Sequence, residues 1–115
     1  FVGICVGMQV LFESSLEDKN AKGLAIFNGR VEKLKHPKTP MVGWAQFQSK
    51  DQFYQQQFVY FVNSYGIGQS DYCVAAVNYG AQFCAIVQKD QVTGFQFHPE
   101  KSGHYGLEVL QRCLE

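Results

Sequence analysis

Apolar and polar positions along the chain predict a short helix near the start, a run of strands, and one helix at the end. Residues 1–5 read as the end of a buried strand. From Val6 to about Ser14 the residues Val6, Met8, Val10, Leu11 and Phe12 are apolar nearly all round, which predicts a buried helix. Glu17 to Lys22 is polar and turn-like, Gly29 to Leu34 alternates as a strand does, and His36-Pro37-Lys38-Thr39-Pro40 reads as a loop. The Gln-rich stretch Ser49 to Gln57 reads as a solvated loop or a short helix. Phe58 to Val62 is a strand closed by Asn63-Ser64-Tyr65-Gly66. Tyr72 to Asn78 and Gln82 to Gln88 are two strands, and the link Asn78-Tyr79-Gly80-Ala81 predicts a hairpin. Gln91 to Phe97 is a further strand. Beyond Gly103, Leu107, Leu110 and Leu114 recur at helical spacing beside Val109 and Cys113, the pattern of an amphipathic helix. Strands outnumber helices, and both hairpin and parallel signals are present, so an α/β domain with a mixed sheet is expected. Two helices are too few to cover both faces of such a sheet, and the first strand is entered in its middle. Both features read as those of a domain whose first elements lie upstream of Phe1.

Composition narrows the function. The 115 residues make at most one domain, and 46% hydrophobic residues allow a real core. Ten basic and ten acidic residues cancel, which argues against nucleic acid or another polyanion as the main partner. No apolar run approaches the ~18 residues of a membrane span, and no signal peptide is visible. The four cysteines, Cys5, Cys73, Cys84 and Cys113, form no Cys-x-x-Cys pair, so a zinc ribbon is not supported. Free thiols in a reducing cytoplasm fit this usage. Cys73, Cys84 and Cys113 lie in apolar runs as small core residues. No metal or cofactor is called for.

Candidate chemistry sits at the two ends. Gly3-Ile4-Cys5-Val6-Gly7 has the Gly-x-nucleophile-x-Gly form of a strand-to-helix elbow, with Cys as nucleophile. A helix starting directly after Cys5 would place the thiol at a positive dipole end and lower its pKa. The N–H of Val6 would point to where an oxyanion forms, while a second donor has no obvious source in the chain. Near the other end stands His98-Pro99-Glu100. Pro99 biases His98 towards extended backbone. In an extended segment residues i and i+2 face the same way, so Glu100 could hold one ring nitrogen of His98 and leave the other for Cys5. Each motif alone has a plain structural reading: a buried Cys near a tight turn, and a strand end with a solvated carboxylate. Their joint occurrence, each after an apolar strand, favours catalysis. His36 and His104 sit in polar contexts and are expected to be exposed. Trp44 reads equally as core or as a surface anchor.

With these motifs in place, the chain resembles the class I (triad) glutamine amidotransferases and, within them, the glutaminase subunits of imidazole glycerol phosphate synthase. The matching runs are Gly3-Ile4-Cys5-Val6-Gly7-Met8-Gln9, Leu11-Phe12-Glu13-Ser14-Ser15, Gly43-Trp44, Tyr60-Phe61-Val62-Asn63-Ser64-Tyr65 and Phe95-Gln96-Phe97-His98-Pro99-Glu100-Lys101-Ser102-Gly103. The resemblance implies a flavodoxin-like three-layer α/β fold with a mixed sheet, of which residues 1–115 would be the C-terminal portion of a single domain. The oxyanion loop would then lie upstream. It implies hydrolysis of glutamine to glutamate and ammonia, with Cys5 as nucleophile, His98 as acid and base, and Glu100 orienting His98. Gln9, Glu17 and the backbone of Ser64 and Tyr65 would hold substrate. Trp44, Tyr60 and Lys101 would face a (β/α)8-barrel cyclase in a cytoplasmic heterodimer. The ammonia passed to that cyclase would yield imidazole glycerol phosphate and aminoimidazole carboxamide ribotide in histidine biosynthesis. The chain departs from the usual Pro-His-Met-Gly-Trp-Asn at Pro40-Met41-Val42-Gly43-Trp44-Ala45, and from the usual His of Tyr-Phe-Val-His-Ser-Tyr at Asn63. Both departures fall near the partner-facing and substrate-proximal strands, outside the triad. A glutaminase paralogue of another amidation pathway, a γ-glutamyl hydrolase and a non-catalytic binding module are the alternative readings.

Overall fold

The apolar run Phe83 to Val87 forms the middle of the longest strand, and the rest of the fold is arranged around it. The structure is a computed structural model that describes residues 1–12, 14–15 and 23–114. In chain order its elements are β1 (Val2–Ile4), α1 (Val6–Gln9), β2 (Ser14–Ser15), β3 (Arg30–Lys33), β4 (Met41–Gln46), β5 (Phe58–Asn63), β6 (Tyr65–Ile67), β7 (Cys73–Tyr79), β8 (Ala81–Lys89), β9 (Val92–Phe95) and α2 (Gly103–Leu114), with a 3-10 turn at Pro99–Lys101.

The central sheet has the order β1-β9-β8-β7. It is mixed, as expected: β1 runs parallel to β9, while β8 is antiparallel to both β9 and β7. β7 and β8 form the hairpin predicted at Tyr79-Gly80. Gly80 takes a φ of +79°, which a side chain would strain. β8 is buried on both faces. Ala85 and Ile86 pack with Phe61, Phe95, Phe97 and Val109 on one side, while Cys84 and Val87 pack with Met8, Leu11, Phe12 and Phe27 on the other. A strand buried on both sides reads as a continuous apolar run, which is what Phe83 to Val87 is.

The faces of this sheet are covered partly by strands. The antiparallel ribbon β4–β5 and helix α2 contribute to the first core, through Met41, Val59, Phe61 and Val109, and β3 and β6 contribute Val31 and Ile67 to the second. Two helices were expected to be too few to cover the sheet, and among the described residues strands share that task with them. β4 was not anticipated, because Gly43 and exposed Val42 and Trp44 break its alternation. The closing turn after β5 is also shorter than predicted. Only Ser64 separates β5 from β6, so Tyr65 and Gly66 are in a strand rather than a turn.

The first helix differs most from expectation. It spans Val6–Gln9 rather than continuing to about Ser14, and Ser14–Ser15 is a short strand. The carbonyls of Val10, Leu11 and Phe12, which would extend a helix, accept instead from the N–H groups of Leu24, Ile26, Phe27 and Ala25. Burial of Leu11, Phe12 and Phe27 in one cluster stabilises this route over further helical turns. The apolar ring of the predicted helix is accordingly split: Met8 is buried, while Val6 and Val10 are exposed. The stretch Ser49 to Gln57 is a series of turns, and it is not wholly solvated because Tyr54 enters the core.

Candidate active site

β1 and β9 are neighbouring parallel strands, with Ile4 opposite Phe95, so both chains leave the sheet at the same carboxyl edge. Cys5 lies one residue beyond β1 and His98 three residues beyond β9. Topology alone thus brings together two side chains separated by most of the sequence, at the edge where α/β sheets commonly bind ligands. Cys5 has φ 54° and ψ −113°, a conformation that costs a non-glycine residue free energy and lifts its side chain out of the strand line. Gly3 makes this possible, because a Cβ there would stand 2.4 Å from the carbonyl oxygen of Gly7. Gly7 is different: a Cβ there would meet nothing within 4 Å, so its space is open.

The three side chains form one chain of contacts. Cys5 Sγ lies 3.1 Å from His98 Nε2, and His98 Nδ1 lies 3.2 Å from Glu100 Oε2. With Nδ1–H donating to the carboxylate, Nε2 is left as an acceptor facing the thiol. Sequence reasoning placed Glu100 beside His98 through extended backbone. The contact is made, but by another route: His98 is extended at φ −100° and ψ 101°, and Pro99–Lys101 then turn in a 3-10 helix that brings Glu100 back. His98 is held firmly from behind. Its N–H donates to Tyr60 O at 2.9 Å, and its carbonyl accepts from Ser102 Oγ at 2.6 Å. Ser102 Oγ also accepts from Tyr60 N at 2.9 Å. Ser102 is buried, and sequence reasoning gave it no role.

The thiol itself is not activated in the way expected. Burial pushes Cys5 up from 9.0 to about 11, with the Glu100 carboxylate adding to the rise and Lys101 opposing it. A four-residue helix offers little dipole to counter this. The resting group is therefore a neutral thiol, which donates to Gln96 O at 3.0 Å and has His98 Nε2 as its second acceptor. Chemically, this arrangement can deliver a thiolate only as His98 takes the proton. Val6, as the first residue of α1, has an N–H with no intrahelical acceptor, available to a developing oxyanion.

Gln9, on α1, faces the same edge. Its Nε2 donates to Tyr65 O at 3.1 Å and to Gln96 Oε1 at 2.9 Å. Tyr65 O also accepts from Asn63 Nδ2 at 3.0 Å, and Ser64 O accepts from Leu34 N at 2.9 Å. Glu17 lies outside the described residues. Gln96, fully buried, was quoted in a motif but not recognised as part of the site; a glutamine between Phe95 and Phe97 in an apolar strand was the available signal.

Tyr60 lies beside His98, its carbonyl accepting from the His98 N–H, and Lys101 is exposed in the 3-10 turn that follows. Trp44 is 55% exposed and meets Tyr60 edge-on at 5.7 Å, and its ring tip reaches the space beside Gly103. This decides between core and surface for Trp44. With Val42, Phe58 and Val62, it makes the outer face of the β4–β5 ribbon apolar. Elsewhere, His104 is exposed and pairs with Glu108, but His36 is half-buried, stacked on Tyr79 at 3.9 Å. The four cysteines are free; Cys84 is buried, while Cys73 and Cys113 are half-buried against the cores. Among the described residues no helix is long and apolar enough to cross a membrane.

A cysteine on a strained elbow, a histidine and a carboxylate at one edge of a mixed sheet define a class, and the chain belongs to it: the class-I glutamine amidotransferase family matches residues 1–115. A solved glutamine amidotransferase crystal structure superposes with a TM-score of 0.69 over 99% of this chain and 60% of that one, at 15% identity, so it shares the fold. More particularly, the chain is similar to the imidazole glycerol phosphate synthase subunit HisH of Exiguobacterium sibiricum. The two are 50% identical over 100% of this chain and 57% of the relative. It is 40% identical to the HisH subunit of Methanocaldococcus jannaschii over 100% of this chain and 63% of that protein. The chain thus spans less than two thirds of the length of these relatives.

Proposed function

We propose that this chain carries the thiol chemistry of a glutaminase that hydrolyses L-glutamine to glutamate and ammonia, and that it serves an imidazole glycerol phosphate synthase. The observation that carries the reading is the continuous contact from Cys5 Sγ through the His98 ring to Glu100, in a chain of this family. In this reading the thiol proton turns from Gln96 O to His98 Nε2 as sulfur attacks the carboxamide carbon. Glu100 stabilises the imidazolium that results. His98 then gives the proton to the departing nitrogen, releasing ammonia and leaving a γ-glutamyl thioester. Water attacks the thioester with His98 as base, giving glutamate and restoring the thiol. The N–H of Val6 supplies one donor to the oxyanion of each tetrahedral intermediate. Gln9, Ser64 and Tyr65 line the substrate side, and Glu17 is proposed to join them.

The ammonia is proposed to pass to a (β/α)8-barrel cyclase in a cytoplasmic heterodimer, which makes imidazole glycerol phosphate and aminoimidazole carboxamide ribotide for histidine biosynthesis. The similarity to HisH subunits supports this, as does the clustering of exposed Val42, Trp44, Phe58 and Val62 on one face of the β4–β5 ribbon. Lys101 is proposed to join its rim. The test is glutamine turnover by the intact protein with and without a cyclase barrel. Turnover that rises with the barrel is the expected result. Turnover that ignores the barrel rejects the partner, and cleavage of γ-glutamyl peptides in its place assigns the protein to a γ-glutamyl hydrolase.

A further inference from the structure

We infer that Gln96 is a positioning residue that fixes the polarity of the Gln9 carboxamide and so presents Gln9 to substrate as a hydrogen-bond acceptor. The inference rests on the glutaminase reading only for what Gln9 touches. A carboxamide has two N–H donors and one carbonyl acceptor. Both donors of Gln9 Nε2 are spent within the protein, on Tyr65 O at 3.1 Å and on Gln96 Oε1 at 2.9 Å. Only Oε1 remains, and the group it would receive on an amino-acid substrate is an N–H donor such as the α-ammonium. Were either acceptor missing, the amide could turn over and offer a donor at the same place, where an ammonium cannot bind.

Stability does not explain a glutamine at this position. Gln96 is fully buried between Phe95 and Phe97, and its Nε2 finds no partner among the described residues. A buried donor left unpaired costs free energy that an apolar side chain of the same length would not. The neighbouring Asn63 repeats the pattern, with Nδ2 bonded to Tyr65 O and a buried Oδ1 left over. In both side chains the atom facing the Gln9–Tyr65 junction is used and the other is not. Gln96 also meets the nucleophile, since its main-chain carbonyl accepts from the Cys5 thiol. That second contact is independent of the side chain.

The test is Gln96→Met in the intact protein, which keeps length and removes the acceptor. The melting temperature should hold or rise, KM for glutamine should increase about fivefold to tenfold, the worth of one hydrogen bond, and kcat should change less. In a Gln9→Met background the same substitution should cost nothing further in KM. A lowered melting temperature or a failure to fold makes Gln96 a structural residue and overturns the inference, as does an unchanged KM or strict additivity with Gln9→Met. If the unmodified protein does not turn over glutamine, the glutaminase reading fails on its own. The clamp is then decided by NMR of the Gln9 side-chain amide. Two resolved, slowly exchanging Nε2 protons that lose their protection in Gln96→Met support it, and unchanged protection overturns it.

Discussion

The two sides of the candidate site are built in opposite ways. The Cys5 side is a strained elbow followed by four helical residues, with an open space at Gly7 and a neutral thiol shared between two acceptors. The His98 side is a 3-10 corner whose main chain is tied at both the N–H and the carbonyl, and whose ring is tied to Glu100. The thiol is therefore left adjustable, while the imidazole is fixed. In the proposed mechanism the thiol rotates its proton from Gln96 O to His98 Nε2, which needs such freedom, and His98 accepts from sulfur and then gives to nitrogen, which needs a fixed ring.

The largest effect separates the two sides by chemistry. Cys5→Ala should reduce glutamine turnover by roughly 10⁴-fold or more, since no other group can form the thioester. Unchanged turnover would remove Cys5 from the mechanism. His98→Asn should cost about 10²–10⁴-fold, the usual worth of a positioned acid and base. The second variant also tests how the thiol is activated. If His98 must draw off the proton, its loss should leave Cys5 alkylation by iodoacetamide climbing with pH towards about 11. A plateau near neutrality in that variant would show activation by the helix start instead.

A smaller effect tests the scaffold. Gly3→Ala forces a Cβ against the Gly7 carbonyl and should destabilise the fold by about 1–3 kcal/mol, while Gly7→Ala, with nothing near it, should leave the melting temperature within the range of a surface change. Equal costs at the two glycines would mean that the elbow does not have the described geometry. On the other side, Ser102→Ala removes the hydroxyl shared by Tyr60 N and His98 O and should cost about 1–3 kcal/mol. Thermal melts of the three variants measure this.

Much of this was legible in the sequence because it depends on local pattern. The buried strand at Phe83 to Val87, the hairpin at Gly80, the strand before His98 and the last helix follow from periodicity and turn chemistry. So does the elbow, and the pairing of His98 with Glu100 was expected as well, though through extended backbone rather than the 3-10 turn that makes it. What was not legible depends on partners distant in sequence. Residues Val6 to Phe12 have a helical composition, but the competing hydrogen bonds come from Leu24 to Phe27. The expected fall in the Cys5 pKa assumed a long helix, and burial beside Glu100 reversed it. β4 is a strand because β5 pairs with it from Met41 to Gln46, whatever its own alternation. Ser102 and Gln96 acquire their roles only where strands and turns meet.

The smallest effect concerns pH and stability, and it again separates the sides. The folded thiol of Cys5 ionises at about 11, against an ordinary 9.0. The unfolded chain therefore releases this proton first. Stability linked to the protonated thiol is complete below pH 9 and is lost as pH rises from 9 towards about 11. Cys5→Ala has no such proton. Chemical denaturation of the two proteins should give a difference in stability that is flat below pH 9 and turns against the unmodified protein above it. The two ionisations overlap, so this slope stays below that of one full proton. A difference that stays flat through pH 11 would mean that the thiol ionises as freely in the fold as outside it. The nucleophile would then need no help from His98, and the contrast between an adjustable thiol and a fixed base would lose its chemical purpose.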